Sequence, residues 1–362
     1  MRFLRLLTCV LLLLVISSAP SLAQMNTIQP TYFKANVTNV DTEVLDTQTI
    51  QKLTIEITEG DEKGKTLSLT QTFPSTQSEK NIKNGETLVI SKTISQGKTH
   101  YTIYDRYRLP PLFIIVGAFF LLVVLAAGRK GLGAIIGLSI SFAVLILYIV
   151  PQILHGSDPL FVTISGSLLI MIVTIYLAHG FSQRTTVAIG GTFLSLVITG
   201  LLATGMVQIL GLTGLGSEEA YMLQFQGITI NLKGLLLGGI IIGTLGVLDD
   251  ITTAQAATVY ELAHANEKFD VKELFKRGYS VGKEHITSLV NTLVLAYAGA
   301  SLPIFIFFVV NPLNQPWWLI LNSEMIIEEI VRTLAGSIGL ILAVPITTIL
   351  AAFFSRYRVK IS

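Results

Sequence analysis

The sequence predicts a polytopic α-helical membrane protein with a small N-terminal β-domain outside the membrane. Three observations predict it. Hydrophobic residues make up 51% of the 362 and charged residues only 13%, with a mean hydropathy of +0.66. A soluble domain of this length needs more charge to cover its surface. Beyond residue 110 the apolar residues gather into long runs, whereas residues 24–110 are polar and alternating. Basic residues recur in every second join between the runs, the asymmetry that orients membrane helices. The net charge of +2 is small, and the single cysteine, Cys9, excludes a disulfide framework or a Cys-based metal site. The five histidines show no metal-ligand spacing. No metal, cofactor or nucleic-acid partner is expected.

Residues 1–23 open with Arg2 and Arg5, continue through an apolar core at Leu6–Ile16 and end in Ser-Leu-Ala at Ala23. That is the layout of a secretory signal peptide. A retained first helix is the alternative, although the core is shorter than the roughly 20 residues a spanning helix needs. Either way Gln24 onward is sent across the membrane.

Residues 24–110 carry alternating runs at Tyr32–Val37, Lys52–Ile57, Thr66–Thr72, Glu86–Lys92 and His100–Tyr107. Turn signals at Gly60-Asp61, Lys63-Gly64 and Asn84-Gly85 separate some of them. Short strands at this spacing suggest a small antiparallel barrel of the OB kind. No catalytic constellation is visible in it. A rigid cap or partner-docking module is preferred over substrate capture.

Apolar segments follow at 111–127, 132–151, 160–178, 187–209, 234–253, 286–310 and 327–354, which makes seven spans. One set of joins holds Arg129-Lys130, Arg184, the stretch from Lys268 to Lys283, and Arg356, Arg358 and Lys360. The other set holds His155 and Asp158, then Glu218 and Glu219, then Trp317-Trp318; Lys233 is the only dissenter. The β-domain is therefore placed outside and the C-terminus inside, in the plasma membrane of a prokaryote. A short interfacial helix is expected around Glu218–Phe225, and the two tryptophans suit an interfacial anchor. Residues 254–283 read as a helix, a break near Asn266–Asp270 and an amphipathic surface helix.

The chemistry centres on Gly238–Glu261, apolar enough to enter a bilayer yet carrying Asp249 and Asp250. A charge at the centre of a membrane helix costs about 2.5–3.5 kcal/mol on insertion scales, so such a residue is a functional suspect. Gly239, Gly243, Gly246, Asp250, Thr253 and Ala257 fall on one helical stripe. The glycines are expected to pack against a neighbouring helix, putting Asp250 on the packed face. Lys283, Thr287 and Asn291 share a face of the next span, with Ser288 beside it. A Lys283–Asp250 pair with nearby hydroxyls would serve as a proton relay; a static ion pair or a snorkelling lysine is the plainer alternative. Glu328 and Arg332 suggest a salt bridge above a Gly336–Gly339 seam. The hydroxyls Thr192, Ser195, Thr199 and Thr204 are assigned no role, and His179 and Arg184 read as topology markers.

Enzyme motifs are not found: neither HExxH nor GxSxG, neither a P-loop nor a Rossmann glycine pattern. Adjacent aspartates on one helix point about 100° apart, so an aspartyl-protease dyad fails on geometry. The chain is not expected to be an enzyme.

The run GVLDDITTAQAATVYEL, with the signal-like start and the outer β-domain, resembles the YibE/F family of membrane proteins. More distantly, Gly246–Thr252 followed by the run from Lys283 to Leu293 is similar to SecF, a subunit of the protein-export motor in the RND permease superfamily. The resemblance implies an RND/SecF-like helical core over residues 132–355. The segment 111–131 is then an extra transmembrane helix and 356–362 a cytoplasmic tail. It also implies that Asp250 carries the proton, that Asp249 replaces an asparagine and Lys283 an arginine, and that Thr287 and Ser288 supply the hydroxyls. The large domain inserted after the first core helix in that superfamily is missing here, and lysine for arginine is not a neutral change. The core occurs once, whereas RND permeases use two halves, so a homodimer or a paralogous membrane subunit is expected. These features point to a proton-gradient-driven permease or export-assisting subunit of unknown substrate. The alternative is a non-transporting scaffold that presents the β-domain to partner proteins.

Overall fold

A computed structural model describes residues 30–77, 80–95, 97–311 and 313–357. The expected leader, residues 1–23, lies outside them, as do residues 358–362 of the basic tail. Contacts divide the chain near residue 123 into two compact units.

The polar stretch folds into β1 (Thr31–Val44), β2 (Gln48–Ile57), β3 (Thr66–Pro74), β4 (Thr87–Ser95) and β5 (Lys98–Arg106). All pairings are antiparallel, in the order β3-β2-β1-β4-β5. Alternation explains the fold. Phe33, Ala35 and Val37 of β1, Leu53, Ile55 and Ile57 of β2, and Leu88 and Ile90 of β4 all bury on one side. The β1–β2 register shifts between Val37 and Asn39, and such a bulge bends the strand. The edges β3 and β5 approach one another, so the sheet is a partly open barrel. Buried Gln51 receives the Ile82 N–H at 2.9 Å and donates to the Ile82 carbonyl at 3.2 Å, fastening the β3–β4 loop. In the β2–β3 turn, Glu62 accepts from Lys92 of β4, from the Tyr101 hydroxyl of β5 (2.6 Å) and from Lys65 (3.1 Å). These donors, Lys92 foremost, hold its carboxyl at about 2, against an ordinary 4.5.

The remainder is helical: α1 (Leu109–Leu154), α2 (Pro159–His179), α3 (Gln183–Ile209), α4 (Glu218–Phe225), α5 (Leu232–Ala265), α6 (Val271–Ala300), α7 (Leu302–Val310), α8 (Trp317–Leu321) and α9 (Glu324–Tyr357). The helices α1, α2, α3, α5 and α9 are long and apolar enough to cross a membrane. The pair α6–α7, bent by 63°, makes a sixth if the two helices count as one broken span. The chain is a multi-pass membrane protein. The sequence counts α1 as two spans, 111–127 and 132–151, and the run is made of two helices that meet at a kink between them. This run has 46 residues, broken at Gly128 (φ 57°, ψ −131°) beside Arg129. Glycine takes that backbone conformation without the strain a Cβ brings.

Side chains cap the helix starts. Asp158, Ser182, Ser217, Asn231 and Asp270 each accept the N–H three residues on. The core forms where α2, α3, α5 and α9 converge, around Met171, Leu196, Ile241, Leu248 and Val344. The break at Asn266–Asp270 is where the sequence places it, and so is α4. The expected surface helix and the span after it are instead one continuous helix, α6. It approaches α5 and α9 through Gly278 and Gly282, where a Cβ would strike Val259 and Val344 respectively.

Candidate functional site

Both aspartates sit past the middle of α5, but the helix turns the other way from the expected stripe. Its packed side carries Ile241, Leu245, Leu248, Thr252, Gln255 and Val259, all buried. Gly243, Gly246 and Asp250 are exposed and Gly239 is half-buried. A Cβ on Gly239 or Gly243 would meet only the ends of the Arg332 and Tyr297 side chains, and one on Gly246 would meet nothing. The expectation that Asp250 occupies a packed glycine face is therefore corrected. The larger apolar side chains of α5 take the core and leave the small residues on the open side.

Asp249 is the more enclosed carboxylate. It is half-buried, and its Oδ1 is shielded from solvent with no hydrogen-bond partner among the described residues. One turn on, Thr253 Oγ1 donates to the backbone carbonyls of Asp249 (2.9 Å) and Asp250 (3.1 Å). Thr252 Oγ1 meets Thr192 Oγ1 of α3 at 2.6 Å in a fully buried contact. Thr192 also bonds its own helix, as do Ser195, Thr199 and Thr204.

The predicted partner on α6 does not reach the aspartates. Lys283 is exposed, with its ammonium 5.2 Å from the Tyr279 ring centre, and no ion pair joins it to Asp249 or Asp250 among the described residues. Thr287 and Ser288 are exposed as well. The Thr287 hydroxyl bonds the Lys283 carbonyl at 3.2 Å, and the Ser288 carbonyl receives Thr292. Asn291 is exposed. The expected Lys283–Asp250 pair is therefore a correction. Where α6 comes close to α5, its buried residues include Leu274, Gly278 and Gly282, and the lysine projects into the open.

A polar residue that joins three helices is Gln255, which is 1% exposed. Its amide donates to the Gly278 carbonyl of α6 (2.8 Å) and to Thr348 Oγ1 of α9 (2.7 Å). Sequence reasoning missed it, although a glutamine six residues beyond Asp249 in an apolar helix was the signal. At the opposite end of the bundle, the Glu328–Arg332 bridge is also corrected. Arg332 pairs with Glu329 (3.4 Å), while buried Glu328 receives the Gly216 N–H at 3.0 Å. Its neighbour Glu324 receives Thr213 and Gly214, so the two carboxylates fasten the α3–α4 loop to α9.

Against known protein families, residues 115–357 match the model of the YibE/F-like protein family. The match covers the helices and leaves the β-domain outside. No curated protein and no solved structure matches the chain.

Proposed function

The chain belongs to the YibE/F-like family, and from that premise we propose that it is a proton-driven permease or export-assisting subunit with an RND/SecF-like helical core. The observation that carries the reading is Asp249: a carboxylate inside an apolar helix, one oxygen enclosed and without a hydrogen bond among the described residues, beside a second carboxylate that is open. A fixed structural carboxylate is held by donors or a cation, because an unpaired buried charge is costly. A carboxylate with neither is suited to changing its charge. Asp249 is the protonatable carboxylate, Asp250 is a second acidic group beside it, and Lys283 acts on them from α6 without a permanent contact. The β-domain faces outward and the basic joins face the cytoplasm of a prokaryotic cell. The working unit pairs two helical cores, from a second copy or a paralogous subunit. The scaffold alternative draws on the β-domain's being a unit of its own.

Infrared difference spectroscopy of the reconstituted protein tests the relay, with Asp249→Asn and Asp250→Asn identifying the bands. The expected result is a carboxyl band that titrates within the pH range the folded protein tolerates and disappears in one of the variants. Carboxylates ionised throughout that range overturn the relay and leave the scaffold.

A further inference from the structure

Two cavities adjoin at the end of the bundle where α2 ends and α3 begins, and both are lined by His179 and Arg184. The inner one, about 220 Å³, lies between α3 and α5 and reaches from those side chains to Thr253. Small residues on both walls, Ala188, Ala254 and Ala257, leave this space unfilled. At roughly 30 Å³ per molecule it has room for a short file of waters. The outer cavity, about 430 Å³, opens beside Glu261, His264, Glu267 and Arg356.

Thr253 lies one helical turn beyond the aspartates and its hydroxyl bonds their backbone carbonyls, so the inner end stops a turn short of the two carboxyl groups. His179 stands within electrostatic reach of Asp250 on α5, Arg184 on α3 and Lys130 on α1. Its position is fixed by the turn that follows. Gly180 closes α2 at φ 74°, Phe181 stacks on Tyr176 with ring centres 4.4 Å apart, and the Tyr176 hydroxyl contacts Thr186 Oγ1 at 2.9 Å.

We propose that this cavity is a one-sided aqueous port to Asp249 and Asp250, with His179 as the proton-exchanging group at its mouth. The proposal rests on the relay reading for its proton and on the cavity for its path. A protonated carboxyl of the pair gives its proton to a cavity water, leaving a carboxylate. That water passes the proton to neutral His179, which becomes imidazolium. The imidazolium releases it to bulk water beside Arg184 and returns to the neutral form. Imidazole suits the position because its ordinary titration lies nearest neutrality, whereas Arg184 in the same wall never deprotonates.

Two measurements on the full chain test it. With Cys9→Ser removing the native thiol, Thr253→Cys is exposed to a membrane-impermeant, cationic methanethiosulfonate in vesicles of each orientation. The expected result is labelling from the Arg184 side only, slowed several-fold when Ala257→Phe fills the cavity. Equal labelling from both sides, or none from either, overturns the port. The second measurement is hydrogen–deuterium exchange of the carboxyl band in His179→Gln. Exchange is expected to slow by about tenfold or more, with the thermal midpoint and the Thr253→Cys labelling unchanged. Unchanged exchange overturns the role of His179. If no carboxyl band titrates, the relay and the proton role of His179 fall together, while one-sided labelling still keeps the port.

Discussion

Gln255 does for the helices what charge was expected to do. One amide joins α5 to both α6 and α9 without carrying a charge into the bilayer. Gln255→Leu keeps the bulk and removes both hydrogen bonds, so unfolding in mild detergent should show a loss of about 1 kcal/mol, the usual worth of such bonds in membrane proteins. Asp250→Asn, at an exposed position, should change stability by less than about 0.5 kcal/mol. In the β-domain, Glu62 makes a pH prediction. Its folded-state pKa lies below the unfolded one, so its contribution is complete above about 4.5 and is lost as the pH falls towards about 2. Strands of the full chain should become cleavable by pepsin across that window, and Glu62→Gln should flatten the pH dependence. Glu62 was hidden from sequence reasoning because its donors, Lys65, Lys92 and Tyr101, come from three places along the chain. Gln255 was hidden for another reason. The eye follows charge, and only the placement of α6 and α9 reveals which side of α5 is buried.

At the scale of elements, the strands were the most legible part. Their alternation sets both existence and face: β2 buries every second residue, β1 does so from Phe33 to Val37, and β4 buries Leu88 and Ile90 on the same side. Helices in a membrane are less legible, because lipid-facing and core-facing positions are both apolar and periodicity loses its contrast. The face of α5 was misassigned for that reason. The sequence points to the α5 glycines as the packing signal and passes over those of α6, yet the two sets behave the other way round. Gly278 and Gly282 of α6 stand against Val259 and Val344, whereas Gly246 of α5 faces open space. Gly282→Val should therefore displace Val344 and Gln255 and destabilise the protein by about 1–3 kcal/mol. Gly246→Val should leave the thermal midpoint of the single chain where it is. Similar losses from both variants would mean that α6 does not pack as described.

For the whole molecule, the same contrast bears on assembly. Gly243, Gly246 and Asp250 of α5 and Thr287, Ser288 and Asn291 of α6 are exposed. Hydroxyl, amide and carboxylate groups facing hydrocarbon are disfavoured, and such residues in spans usually face a bundle interior or an aqueous cavity. Small residues among them allow close helix approach. This side of the helical unit is therefore expected to meet a second copy, which would enclose the aspartates. In lipid nanodiscs or mild detergent, native mass spectrometry should find twice the chain mass. Gly246→Trp, which puts a large side chain on that face, should shift the population towards single chains without lowering the thermal midpoint of each. A wild-type protein that stays a single chain at every concentration tested would reject self-pairing. A paralogous subunit would then be the partner to seek, by co-purification from the native membrane, and the unpaired scaffold would stand if none were retained. A dimer indifferent to Gly246→Trp would place the interface on another face and leave Asp250 open to its surroundings. The relay would then have to work from a single core.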